Sequence, residues 1–122
     1  KNQVFTFKVV YRDSEGAHPK FIILELDGKG LAMEPELNEN QGMLFVHPFE
    51  TNHVYVMRNM QFPIDIIFID SHGTIVSIHH AYPELPPYTT YEGVSKWVIE
   101  LPHNWTLDHN ISGCYSLRFF LF

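Results

Sequence analysis

Two carboxylates stand where carboxylates are costly. Asp65 lies inside IDIIFID and Glu100 inside WVIELP, each flanked by large apolar side chains. A charged group in such a run must be paired or reach solvent. Arg58, which follows VYVM, has a planar fork able to meet either carboxylate, and Asn59 beside it adds an amide. This polar set has two readings. It is a structural ion pair at the rim of a β fold, or it is the polar floor of a ligand pocket with Met43, Met57, Met60 and Tyr55 as adaptable apolar walls. The candidate binding residues are therefore Met43, Tyr55, Met57, Arg58, Asn59, Asp65 and Glu100. Burial that raised the pKa of Asp65 or Glu100 would also suit either one to acid–base work.

The other reactive residues lack a chemical pattern. His79 and His80 are neighbours on a strand, so their side chains point to opposite faces and cannot readily chelate one ion. His47 and His53 flank a connection across which they could meet. No HExxH, HxH or cysteine pair is present, and no metal or cofactor is expected. The single Cys114 has no nucleophile motif around it and forms no internal disulfide. No nucleophile elbow and no phosphate-cradling glycine loop occurs, and no catalytic residue is assigned. Asn104-Trp105-Thr106 and Asn110-Ile111-Ser112 match the glycosylation sequon, a pattern short enough to arise by chance.

These residues need a scaffold, and the hydrophobic pattern supplies one. Phe5, Phe7, Val9 and Tyr11 alternate with polar residues, which predicts a half-buried strand over Gln3–Tyr11, paired in a hairpin with Phe21–Leu26. Continuous apolar runs predict buried strands over Met43–Val46, Val54–Met57 and Ile64–Ile69, with the first and last forming the core. Asp70-Ser71-His72-Gly73 is a hairpin signal leading into Thr74–His80, with Gly73 placed for the left-handed region. Ser95–Leu101 and Tyr115–Leu121 complete the strands, and short helices are expected within Leu31–Asn40 and His103–His109. Between them, residues 82–93 hold prolines and tyrosines without apolar periodicity, a long loop of the kind that is functional or mobile. About eight short strands with one or two short helices predict a mainly β fold, a single-domain barrel-like structure or closed sandwich that removes exposed edges.

Composition bounds the function. The 122 residues make one domain, and 45% hydrophobic content suits a packed core. A net charge of −6 with only eight Lys and Arg argues against nucleic-acid binding and against docking on anionic lipid. No apolar run approaches the ~20 residues of a membrane span. The chain starts at Lys1 without an initiator Met, so an upstream segment removed by processing or by design is expected.

The order of GMLFV, VYVMRNM, PIDIIFID followed by GTIV, the Ala81–Pro83 loop and WVIELP resembles the bacterial and archaeal family called domain of unknown function 192. The resemblance covers Gly30 to Phe119 and leaves most of the N-terminal hairpin, to Pro19, outside. It implies a compact β-barrel-like domain, often exported, with no established activity, and so an extracytoplasmic location rather than a cytoplasmic one. Asn59 and Asp65 fit the family pattern. Ala32 stands after Gly30-Leu31 where Met is usual, Val54-Tyr55 or Tyr55-Val56 replaces Phe-Trp, and Gly113-Cys114 replaces a closing Gly-Asp.

The expected function is a non-enzymatic binding or interaction module. Its ligand, a small molecule, peptide or partner protein, would meet the barrel rim and loop 82–93, whose Tyr and Pro residues give rigid contact area. The alternatives are a small hydrolase or lyase using Asp65 or Glu100, and a purely structural domain.

Overall fold

The structure, a computed structural model, describes residues 4–12, 20–27, 41–109, 111 and 116–121, with side chains described for 42–109 and 111. The expected helix in Leu31–Asn40, the Gly30-Leu31 position and the Gly113-Cys114 pair lie outside the described residues.

The alternating and apolar runs become strands, as their periodicity dictates. β1 (Val4–Arg12) and β2 (Lys20–Asp27) form the expected antiparallel hairpin, with Phe7 opposite Leu24. The two short strands expected over Met43–Val46 and Val54–Met57 are instead one long strand, β3 (Gln41–Tyr55), because the polar HPFETN segment between them stays extended, and it ends before Val56 and Met57. β3 changes register against its neighbour between Val46 and Thr51, and this absorbs the polar insertion. β4 (Ile64–Ile69) and β5 (Ile75–Ala81) form the next hairpin, and β6 (Tyr91–Pro102) starts earlier than expected, so residues 91–93 belong to a strand and not to the loop. A four-residue helix, α1 (Trp105–Asp108), follows, and β7 (Ser116–Leu121) closes the described chain.

The strands make one mainly antiparallel sheet in the order β5-β4-β6-β3-β2-β1-β7. Among the described strands only β2 and β3 run parallel. Seven strands therefore replace the expected eight, and β5 and β7 are edges: the closed barrel is not formed among the described residues. The four strands β3 to β6 carry the described core and the tiny helix.

β4 is buried at every position, as expected of a strand covered on both faces. Pleating sends Ile64, Ile66 and Phe68 to one face, with Met43, Met57, Ala81 and Val98. Ile67 and Ile69 go to the other, with Ile99, Leu101, Trp105 and Ile111. Met43 belongs to the core, but Val46 is 62% exposed, so the apolar run at Met43–Val46 is only partly interior.

The β4–β5 turn works by its side chain. Asp70 Oδ1 accepts from the backbone N–H of His72 (2.9 Å) and of Thr74 (3.0 Å), and Gly73 takes a φ of 82°. Ile69 faces Ile75 whereas Phe68 faces Ser77, so Val76 is an extra, unpaired residue. This bulge shifts every later pair on β5 by one position.

Phe68 is the largest of the fully buried side chains, with Tyr55 and His79 set edge-on at 5.7 and 5.5 Å between ring centroids. Above it the β6 backbone comes so close that a Cβ on Gly93 would lie 3.0 Å from Phe68 Cβ and Cγ. Phe68→Ala should cost about 3–5 kcal/mol in denaturant melts. A loss below about 1 kcal/mol would place the ring outside the packed interior.

Candidate functional site

Asp65 is fully buried, and the register explains where it points. It faces His80 on β5 and Leu101 on β6, so it shares the face of Ile67 and Leu101, toward the β6–α1 turn. Both oxygens are occupied. Oδ1 accepts from His80 Nδ1 (2.7 Å) and Asn104 N (3.0 Å); Oδ2 accepts from Thr106 N (2.9 Å) and Thr106 Oγ1 (2.7 Å). Four donors offset the desolvation that an unpaired buried carboxylate would suffer. They also finish the helix start. Asn104 sits at φ 64° and makes no side-chain cap bond, so Asp65 supplies from another strand the acceptor that an N-cap would give.

The same contact orients an imidazole. With Nδ1–H donated to the carboxylate, the His80 lone pair is at Nε2, on a side chain 34% exposed. His103 lies edge-on to His80, with ring centroids 6.2 Å apart, and Tyr82 packs on His103 at 5.1 Å. The Nδ1 of His103 is buried without a hydrogen-bond partner. Asp65, His80 and His103 each offer one ligand atom within 4.8 Å of the others. This corner offers two adjacent imidazoles to a hydrogen-bond donor or a cation.

The loop that begins at Tyr82 rises from the same corner and is tied to the body. Both oxygens of Glu84 accept from Thr89, one from its N–H and one from its hydroxyl at 3.1 Å. The Arg58 guanidinium lies 4.9 Å above the Tyr88 ring. Tyr82 and Leu85 remain 54% and 86% exposed.

The expected site residues do not converge. Met43, Tyr55, Met57 and Glu100 gather on the face opposite Asp65, where Glu100 is paired in register with Met43 and Ile66. Arg58 and Asn59 lie in an exposed turn closed by Met60 N–H to Met57 O, with Asn59 at φ 59°. Of the partners expected for Asp65, namely Arg58, Asn59 or backbone donors near its strand end, the backbone donors are found, at Asn104 and Thr106, joined by His80, while Arg58 contacts Tyr88 instead. Two expectations hold. His79 turns to Phe68 and Tyr91 while His80 turns to Asp65, and His47 and His53 meet with rings stacked at 3.6 Å. Tyr82 lies in the loop expected to bind and His80 is weighed only as a metal ligand, whereas His103 and Thr106 do not emerge from the sequence as site residues. Their signal was a buried Asp in need of donors and a polar HNWT segment directly after a strand end.

Glu100 is 7% exposed, and burial pushes its carboxyl up from 4.5 to about 7. Burial also raises the Tyr55 phenol, and the nearby Glu100 charge adds to that rise. The Tyr55 oxygen lies 2.8 Å from His47 Nε2.

Residues 25–119 match the family DUF192, described as "Uncharacterized ACR". The chain belongs to this family. Two solved structures share the fold of this DUF192 chain. One is of a "putative transcription regulator" from Sinorhizobium meliloti 1021, at TM-score 0.76 and 23% identity over 94% of this chain and 95% of that one. The other is of a protein of unknown function from Novosphingobium aromaticivorans DSM 12444, at TM-score 0.73 and 22% identity over 91% and 83%. No curated protein matches.

Two measurements check the carboxylates of this DUF192 domain. Asp65→Asn turns an amide N–H₂ toward groups that themselves donate, and should cost about 3 kcal/mol in urea melts; an unchanged melt would mean the four bonds contribute nothing. Glu100 has the opposite pH sign. Its folded pKa lies above its unfolded one, so its contribution to stability is fully present below about pH 4.5 and is lost as the pH rises through about 7. The full loss is about 3 kcal/mol. Glu100→Gln should therefore be the more stable protein at pH 8, and the difference between the two stability profiles should vanish below pH 4.5; a difference independent of pH would contradict the assignment.

Proposed function

We propose that the chain is a non-enzymatic binding module whose contact surface is the rim formed by His80, Tyr82 and His103 together with the adjoining loop, residues 82–90. The observation that carries this reading is the oriented imidazole. A fully buried Asp65 fixes His80 beside His103 and Tyr82, at the root of a loop that holds Leu85 and Tyr82 out to solvent. The Glu84–Thr89 bonds and the Arg58–Tyr88 contact shape that loop in advance, which lowers the ordering cost of binding. An extracytoplasmic location, implied by the family, is part of the same proposal.

A second reading, acid–base catalysis, is favoured by one observation, the pKa of about 7 at Glu100. Against it, Glu100 and Asp65 sit on opposite faces of the sheet, and all four acceptor positions of Asp65 are in use. The regulator description of the Sinorhizobium meliloti neighbour also finds little support as direct DNA binding, given the net charge of −6.

Native mass spectrometry of the full chain purified from its own host tests the proposal. A bound species should be present on the parent protein and missing from Tyr82→Ala and His80→Ala variants whose thermal melts show them folded. A species that stays on both variants would move the binding surface away from this rim.

A further inference from the structure

Resting on the binding reading of this rim, we infer that His80 and His103 are ligands for a divalent transition cation of the zinc class, with Asp65 as the outer carboxylate that sets His80. Imidazole nitrogen suits zinc, nickel and copper, whereas calcium and magnesium require oxygen ligands.

Three observations converge. The first is the buried Asp65 bonded at 2.7 Å to His80 Nδ1. A metal-bound histidine commonly donates its second nitrogen to such a carboxylate, which fixes the tautomer and raises the basicity of the nitrogen facing the metal. The second is the unpartnered, buried Nδ1 of His103. A buried ring nitrogen without a hydrogen bond carries a desolvation cost that a lone-pair acceptor such as a cation would relieve. The third is spacing, since one ligand atom from each residue lies within 4.8 Å of the others. Two nitrogens at about 2.0–2.1 Å from zinc stand at most about 4.2 Å apart, so the site closes by adjustment of the His103 side chain toward His80 Nε2, with the Asp65–His80 bond kept.

The charge balance also fits. Asp65 brings a negative charge within reach of the ion, yet its oxygens are engaged by Asn104 and Thr106, so it serves best through His80. Two imidazoles leave the remaining coordination positions to water or to a donor atom of a ligand held by Tyr82 and the loop. An open cation site of this kind binds reversibly and gives the rim its preference for ligands carrying an electron-pair donor.

The test is a titration of the metal-stripped full chain with zinc ion alone, followed by calorimetry and by competition with a chromophoric chelator. One equivalent per chain should bind, and His80→Ala and His103→Ala should each weaken it by at least about tenfold. A double His47→Ala/His53→Ala variant should bind like the parent, because that stacked pair lies elsewhere on β3. Zinc should also raise the melting temperature of the parent and of the His47/His53 variant, and of neither His80→Ala nor His103→Ala. Binding lost with His47 and His53 instead, or an absence of binding at millimolar zinc, would overturn the inference. The two readings fail separately. A co-purified species that depends on Tyr82 but survives metal stripping leaves the rim standing and removes the cation. Zinc binding at His80 and His103 without any Tyr82-dependent species keeps the cation and removes the wider rim.

Discussion

One buried carboxylate must be satisfied, and the arrangement of this end of the molecule follows from that need. Asp65 has no contact with solvent, and its four donors come from β5, from the turn after β6 and from the first turn of α1. Each donor group belongs to a segment that would otherwise have an orphan of its own. The helix start lacks a cap, and the His80 ring would have no fixed tautomer. Satisfying Asp65 thus joins three segments, and it leaves an imidazole nitrogen facing outward as the remaining unused valence of the network.

The pleat of β4 explains why the two carboxylates play different parts. Asp65, Ile67 and Ile69 look toward α1, where backbone N–H groups donate; Ile64, Ile66 and Phe68 look toward the apolar side chains of Met43, Met57 and Val98. Asp65 meets donors. Glu100 meets apolar side chains and holds its proton up to about pH 7. A single strand thickness separates a carboxylate that organises polar structure from one that behaves as part of an apolar layer.

Much of the scaffold was legible because hydrophobic period is a local property. IDIIFI could only be a strand covered on both sides, and DSHG could only be a turn. That the sheet stays open among the described residues was not legible, since closure depends on whether the two edge strands meet, which no local pattern encodes. The site was harder still. Asp65 lies 39 and 41 residues from the backbone groups of Asn104 and Thr106, and nothing nearby names them as donors. Even its short-range partner is hidden by the bulge. A regular hairpin continuing the Ile69–Ile75 pairing would set Asp65 opposite His79, and only the extra Val76 brings His80 there. Arg58 looked like the natural counter-ion because sequence proximity favours it, but its strand had already ended, and the side chain reached the loop instead.

The absent cap on α1 ties that helix to the assembled sheet. Four residues cannot hold a helix in water, and this one borrows its acceptor from a strand 41 residues upstream. Closing the 41-residue span between Asp65 and Thr106 carries a loop-closure cost that the pairing of β4, β5 and β6 offsets. Because its donors reach Asp65 only across the assembled strands, the corner with the two histidines depends on tertiary contacts and not on local sequence.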